Sequence, residues 1–379
     1  MKRIYTYISS ALLVIISFAC SSSQEQTKDV LVDIQPMLAT PLKGEIMEEY
    51  LMTPYTKQMI FIQSRLFHFT PASGVSCLIT NEYTDTLGYL PPPGNGPGEF
   101  TSSWPDYTGI SSGKDTLYMY DTSIRTMRRY QLHFETDKVN GTFIDKTKLK
   151  EKEQPNKQIL DWGINRLKRL DNGYYVGFCD IATQYTFALF DSDLNEITKF
   201  GEYPIKNMFD EDKLHFVSCF DGPLEIQGNS IYHATRDFAY MARYDVSDEG
   251  DVKLVWKKFY AKTKCHSSNN GIVFKSDNIQ GFTSIAIGKE HIFAAYSGVE
   301  SGELHRKRSG MALYPRTIVV FDLQGNPLKK FQLEGRFVPI CLDENEEYLY
   351  VQHDDPDTSL WRYKVADMLR QILKRQDIS

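Results

Sequence analysis

The chain has 379 residues, of which 24% are charged and 13% aromatic, with a formal charge of −6. That length is enough for two ordinary domains, and the mild acidity argues against a nucleic-acid partner, which needs a basic stripe. The 23 Tyr and 22 Phe suit strand faces packed on one another.

Lys2 and Arg3 precede a mostly apolar run, Ile8–Phe18, followed by Ala19, Cys20 and three serines. A positive start and a short apolar run form a leader too short for an ordinary transmembrane helix. The stretch resembles a bacterial lipoprotein signal, which implies that residues 1–19 are removed and that Cys20 is lipidated. Ser17 and Phe18 depart from the usual residues before that cysteine, which leaves ordinary secretion as the alternative. Residues 20–29 read as a flexible tether. The remaining body carries a charge of about −8 once Lys2 and Arg3 are gone, and the membrane is met through the lipid anchor only. Five cysteines remain, an odd number without CxxC spacing, and Cys179 and Cys341 lie in strand-like runs; buried thiols are expected.

A short unit recurs through residues 30–365: a turn, then an apolar residue beside an aromatic. It is clearest at Gly113–Asp121 and returns at Asn172–Tyr175, Gly228–Tyr232, Lys289–Phe293 and Glu346–Tyr350, with a looser copy ending at Ile60-Phe61. Markers at Ile60, Leu117, Tyr174, Ile231, Ile292 and Leu349 are separated by 57, 57, 57, 61 and 57 residues. Six strand-type repeats at a near-fixed period predict an all-β, six-bladed β-propeller, in which each blade buries its faces against its neighbours. Blade one is read as strands at Met59–Gln63 and Leu66–Thr70 with one outer strand over Val75–Leu90. Blades two to five fall at Tyr107–Lys148, Ile164–Phe200, around Tyr240–Tyr260, and Phe282–Leu333. The last repeat, Pro339–Val365, supplies only three strands, so an N-terminal strand from the region Val30–Tyr50 is expected to close it. Residues 366–379 form an amphipathic helix, with Val365, Met368, Leu369, Ile372 and Leu373 on one face. It is expected to dock on the propeller, a partner's groove being the alternative.

The Gly96-Pro97-Gly98-Glu99-Phe100 stretch, before a new blade, is similar to the hallmark of the TolB-like six-bladed propeller lipoproteins of Bacteroidota. The third strands Phe190-Asp191, Tyr244-Asp245 and Phe321-Asp322 fit that family as well. The resemblance implies an envelope lipoprotein and brings hardly any chemistry with it.

Propeller topology puts the links between blades on one face, together with the second-to-third strand links, and the short first-to-second turns on the other. The long links Pro91–Asp106, Lys262–Ile279 and Ser297–Arg316 therefore share a face, and long loops on a repeat scaffold often carry function. Trp104, His266, Arg306, Arg308 and Arg316 are the candidate binding residues there, against the plainer reading of a solvated basic loop. Glycines at 94, 96 and 98 look like a phosphate cradle, but Pro97 removes a donor and no helix follows. A rigid turn with Glu99 accepting backbone N–H bonds is expected instead. Asp121, Asp180, Asp237 and Asp354 end second strands or follow them. They form either a carboxylate ring for Ca²⁺, the one metal weighed, or simple Asx caps. The eight histidines are scattered, without zinc spacing. The expected role is non-catalytic: binding a protein, peptide or glycan from the long-loop face, in the periplasm or on the outer membrane. The alternatives are an envelope lyase or metal-dependent hydrolase at the channel mouth, and a structural subunit joined through the C-terminal helix.

Overall fold

The computed structural model describes residues 29–48, 56–69, 76–82, 85–90, 96, 98–100, 106–150, 164–179, 185–205, 220–268, 271–303, 314–353 and 360–376. Six sheets are arranged as a ring, and in each the first strand is innermost. The inner strands are Gln58–Ile62, Asp106–Ile110, Ile164–Arg169, Leu224–Gln227, Phe282–Ile287 and Phe337–Leu342, one per blade. From each, antiparallel strands step outward. The outer part of blade one is two strands, Cys77–Asn81 and Thr86–Leu90, rather than the single strand expected over Val75–Leu90. Asn81 and Asp85 hold the turn between them, with the Asp85 N–H donating to Asn81 Oδ1 at 2.9 Å. Polar turn residues inside an apolar stretch carry little periodic signal, which is why the two strands read as one.

The turn after each inner strand fixes the repeat. Gln63, Lys114, Gly173, Gly228 and Glu346 all have positive φ there. The third residue beyond each is a buried aliphatic: Leu66, Leu117, Val176, Ile231 and Leu349, all at 0% exposure, and Ile292 matches them in blade five. Two of the sequence markers are thereby corrected. Ile60 lies on an inner strand and Tyr174 precedes its strand, so Leu66 and Val176 are the true equivalents. An aromatic neighbour identifies the motif, but the left-handed turn residue sets the register.

Six apolar clusters form the core, one at each interface between neighbouring blades. Each fully buried Leu, Ile or Phe contributes about 1.5–3 kcal/mol of transfer free energy. Buried tyrosines add directional ties between blades: the Tyr120 hydroxyl donates to Ile164 O at 3.0 Å, and Tyr260 to Gly325 O at 2.8 Å.

The N-terminal segment closes the ring as expected, and does more. Glu45–Glu48 pairs antiparallel with Leu360–Lys364 and becomes the fourth strand of blade six. Before that, Val30–Leu31 pairs parallel with the outer strand of blade four, and Ala39–Pro41 with that of blade five. One strap thus covers the outer edges of two blades and completes the third. Ile34, between the two parallel pairs, is fully buried. The helix Val365–Gln376 follows the last strand, and Val365, Met368 and Ile372 join the cluster between blades five and six. No helix among the described residues is long and apolar enough to cross a membrane.

Candidate functional site: the central vestibule

The six inner strands surround a cavity of about 1340 Å³. Its upper end, on the face of the blade links, is built from residues at the starts of those strands. Lys57 and Asp106, from blades one and two, form an ion pair. Asp221, leading into blade four, sits 2.8 Å from Arg166 Nη2 of blade three and 3.4 Å from Arg236 Nη2. Arg236 in turn lies 3.9 Å from Asp237. Arg166 also donates to the carbonyl of Gly222.

The backbone here leaves little freedom. The Arg236 N–H donates to Asp221 O at 3.0 Å, and its carbonyl accepts from Gly281 at 2.7 Å. Gly222 and Gly281 precede equivalent inner strands, and a Cβ on either would lie 2.0–2.2 Å from the carbonyl oxygens of Ala234 or Phe238. Only glycine allows the links to pass this close, and that approach holds Arg236 over the vestibule.

A polar brace crosses the channel below. Gln58 Nε2 of blade one donates to Glu225 Oε1 of blade four, on the opposite side of the ring, at 3.1 Å. Lys168 of blade three approaches the same carboxylate at 3.3 Å. The Lys168 ammonium also stands 5.1 Å from the centre of the Tyr107 ring of blade two. Four blades therefore meet in the floor of the vestibule. Beneath it, Asp343, Glu344 and Glu346 line the opposite end of the channel.

The electrostatics follow from this packing. Burial alone would raise the Asp221 carboxyl, but Arg166 and Arg236, with Lys57 behind them, hold it below the ordinary carboxylate value. Burial dominates at Asp237, which is raised to about 6 with Arg236 opposing and Asp221 adding to the rise. Beneath the rim, burial lowers the His233 imidazole to about 4, and its Nε2 lies 3.1 Å from Phe220 O. Burial also pushes the Tyr107 phenol up.

The residues expected from the long loops fall elsewhere. His266 is exposed, on a two-stranded hairpin formed by Cys265–Ser268 and Gly271–Phe274 within the link to blade five. Arg316 is exposed and leads into the third strand of blade five; neither lines the vestibule. Trp104, Arg306 and Arg308 lie outside the described residues, as do Cys20, Asp180 and Asp354. Asp121 is fully buried, 2.9 Å from Arg128 Nη1, with the Ser123 hydroxyl donating to its other oxygen at 2.7 Å. Asp237 adjoins the vestibule rim through Arg236. Among the described residues no group of three or more His, Cys, Asp or Glu is arranged to hold a metal ion. Glu99 accepts from the Gly96 N–H at 2.8 Å, the turn-stabilising role expected of it.

Sequence reasoning missed Lys57, Asp106, Arg166, Asp221 and Arg236. Each sits just before or within a short inner strand, or in a tight turn, where a lone charge reads as a solvated strand end. The one available signal was period: Lys168 and Glu225 are 57 residues apart and touch. A second pattern has a plainer reading. Gly109-Ile110-Ser111-Ser112-Gly113 has the spacing of a nucleophile elbow, but it spans a turn between two strands with no helix after it. The Ser111 hydroxyl donates to Asp115 Oδ1 at 2.7 Å and accepts from the Thr116 N–H at 3.0 Å.

Fold and site together define a six-bladed propeller with a charged central vestibule. The chain belongs to the TolB-like six-blade propeller family, whose model, described as TolB-like 6-blade propeller-like, matches residues 83–345. Among solved structures, an exported protein of Bacteroides fragilis aligns over 88% of this chain and 98% of its own, with a TM-score of 0.57 at 11% identity. A gluconolactonase of Xanthomonas campestris aligns over 89% of this chain and 97% of its own, with a TM-score of 0.46 at 10% identity. Among curated proteins none matches the chain.

Proposed function

We propose that the protein is a lipid-anchored envelope binding protein that takes a compact polar ligand, or the polar end of a peptide or glycan, in the upper vestibule. One observation carries this reading: four blades deliver paired charges to the upper end of a single large cavity, over a braced floor. Ligand sites are concave and use a few convergent polar groups, and this is the place in the fold with both. The address rests on Lys2, Arg3, the apolar run Ile8–Phe18 and Cys20. A second reading, hydrolysis or elimination at the same mouth, draws on the Asp237 carboxyl, whose value near 6 suits proton transfer near neutrality.

Thr283, at the start of the inner strand of blade five, lines the cavity, and Thr283→Trp would place an indole across part of its upper end. Thermal shift of the purified protein against amino acids, short peptides, sugars, sugar acids and oligosaccharides tests the binding reading. At least one class is expected to raise Tm in the wild type and not in Thr283→Trp. Identical responses of the two proteins to every compound would overturn it.

A further inference from the structure

Several polar atoms of the vestibule lack partners. The Asp106 side chain is 5% exposed; Oδ1 meets Lys57, while Oδ2 is buried with no hydrogen-bond partner among the described residues. Asp106 lines the cavity. The Thr283 hydroxyl, also in the lining, is likewise unpartnered. Asp221 Oδ1 lies close to Arg166 but without the alignment of a hydrogen bond. A buried polar atom without a partner is costly, and more so when charged. A ligand donor placed at Asp106 Oδ2 removes that cost.

The cations are held in a complementary way. Arg236 is 41% exposed and reaches its two carboxylates only at 3.4 and 3.9 Å. It retains donors facing the vestibule for an incoming anionic group. The two ends of the site are contiguous, since Lys57 pairs with Asp106 and also acts on Asp221, the partner of Arg236.

Charge balance narrows the ligand. Lys57, Arg166 and Arg236 face Asp106, Asp221 and Asp237, and the floor adds one cation, Lys168, and one anion, Glu225. Arg125 stands at the rim with an interaction of its own. A site with both signs in near balance is complementary to a ligand that carries both, whereas a ligand of one net sign would leave part of it opposed. A neutral sugar wants an open aromatic face. At this end of the cavity the aromatic rings include Tyr107 and Tyr314, and Tyr107 already carries the Lys168 ammonium.

We infer that the vestibule recognises an amino-acid-type zwitterion, free or as the end of a larger molecule, with its ammonium at Asp106 Oδ2 and its carboxylate at Arg236. The inference rests on the vestibule being the ligand site. The test uses the common free amino acids and triglycine, each beside its N-acetyl and C-amide derivatives, in calorimetric titrations of the purified protein. At least one free zwitterion binds, and capping either end weakens it at least about tenfold, as expected for losing one charge-assisted hydrogen bond. Arg236→Gln weakens the free form about tenfold and barely changes the C-amide; Asp106→Asn does the same for the ammonium end. Arg236 is on the rim, so its variant keeps a folded protein even where Asp106→Asn does not. Equal affinity for free and capped forms overturns the inference. So does a response to sugars or dicarboxylates alone, which leaves vestibule binding standing. If no compound distinguishes the wild type from Thr283→Trp, both readings fall.

Discussion

The two faces of the disc are built on different rules. On the lower face, the turns of neighbouring blades touch one another at about the repeat spacing. The Asn172 N–H donates to Asn229 Oδ1 at 2.9 Å, and the Lys289 N–H to Glu346 Oε1 at 2.7 Å, both across 57 residues. Gln227 reaches Gly288 O at 2.7 Å across 61. On the upper face Lys168 and Glu225 keep the period, but other contacts leave it: Lys57 pairs with Asp106, 49 residues on, and Gln58 with Glu225, 167 residues on. A contact at the repeat spacing belongs to the frame, because any repeat can supply it. A contact off the period singles out one place in the ring: Gln58 with Glu225 does so at the vestibule, and Lys114 of blade two with Glu344 of blade six does so at the lower end of the channel.

Acid tests this contrast most severely. His68 and His233 are fully buried near the upper ends of their strands, and burial lowers both from 6.5 to about 4. They stay neutral in the fold while the unfolded chain takes up protons below 6.5. Stability is therefore lost as pH falls from about 6.5 to 4, by about 3 kcal/mol per histidine. Asp237 works the other way, because its folded value near 6 lies above its ordinary 3.8 and favours the fold as pH drops through that window. Two histidines outweigh one carboxyl. Denaturant titrations at pH 7 and pH 4.5 should show the loss, and hydrogen exchange should find the upper strand ends opening first. Equal protection on both faces would break the contrast.

Next in size is the Arg128–Asp121 pair, buried to 3% and 0% exposure. Arg128→Ala leaves a carboxylate alone in the interior, and a loss of about 3–5 kcal/mol is expected in equilibrium unfolding. It also removes the guanidinium from over Phe100, 4.7 Å from the ring centre, so the glycine-rich link to blade two should loosen. The smallest effect is expected on the lower face. Asn229→Ala removes one tie between blades and should cost about 1 kcal/mol while leaving vestibule binding unchanged. A change in ligand affinity there would mean that the two faces are coupled.

The same contrast explains what the sequence revealed. The period, the closing N-terminal strand and the Glu99 turn were legible because each rests on a local pattern repeated or flanked by Gly and Pro. Val365, Met368 and Ile372 were legible as a helical face for the same reason. The vestibule was not legible. Its members come from four blades, and nothing local to Lys57 announces Asp106. Loop length pointed to the face on which the vestibule opens, but His266 and Arg316 lie exposed, away from the cavity. The doubled outer strand of blade one was hidden because Asn81 and Asp85 interrupt it without a glycine.

The strap gives the molecule a mechanical character. Val30–Leu31 and Ala39–Pro41 run parallel to the outer strands of blades four and five. A pull on the N-terminal end along these strands loads their hydrogen bonds together, in shear, rather than opening them one at a time like a zip. Blade six lies beyond both clasps, so its closing strand feels the pull last. A pull on the N-terminal end would therefore load the outer edges of blades four and five before it reached the strands around the vestibule.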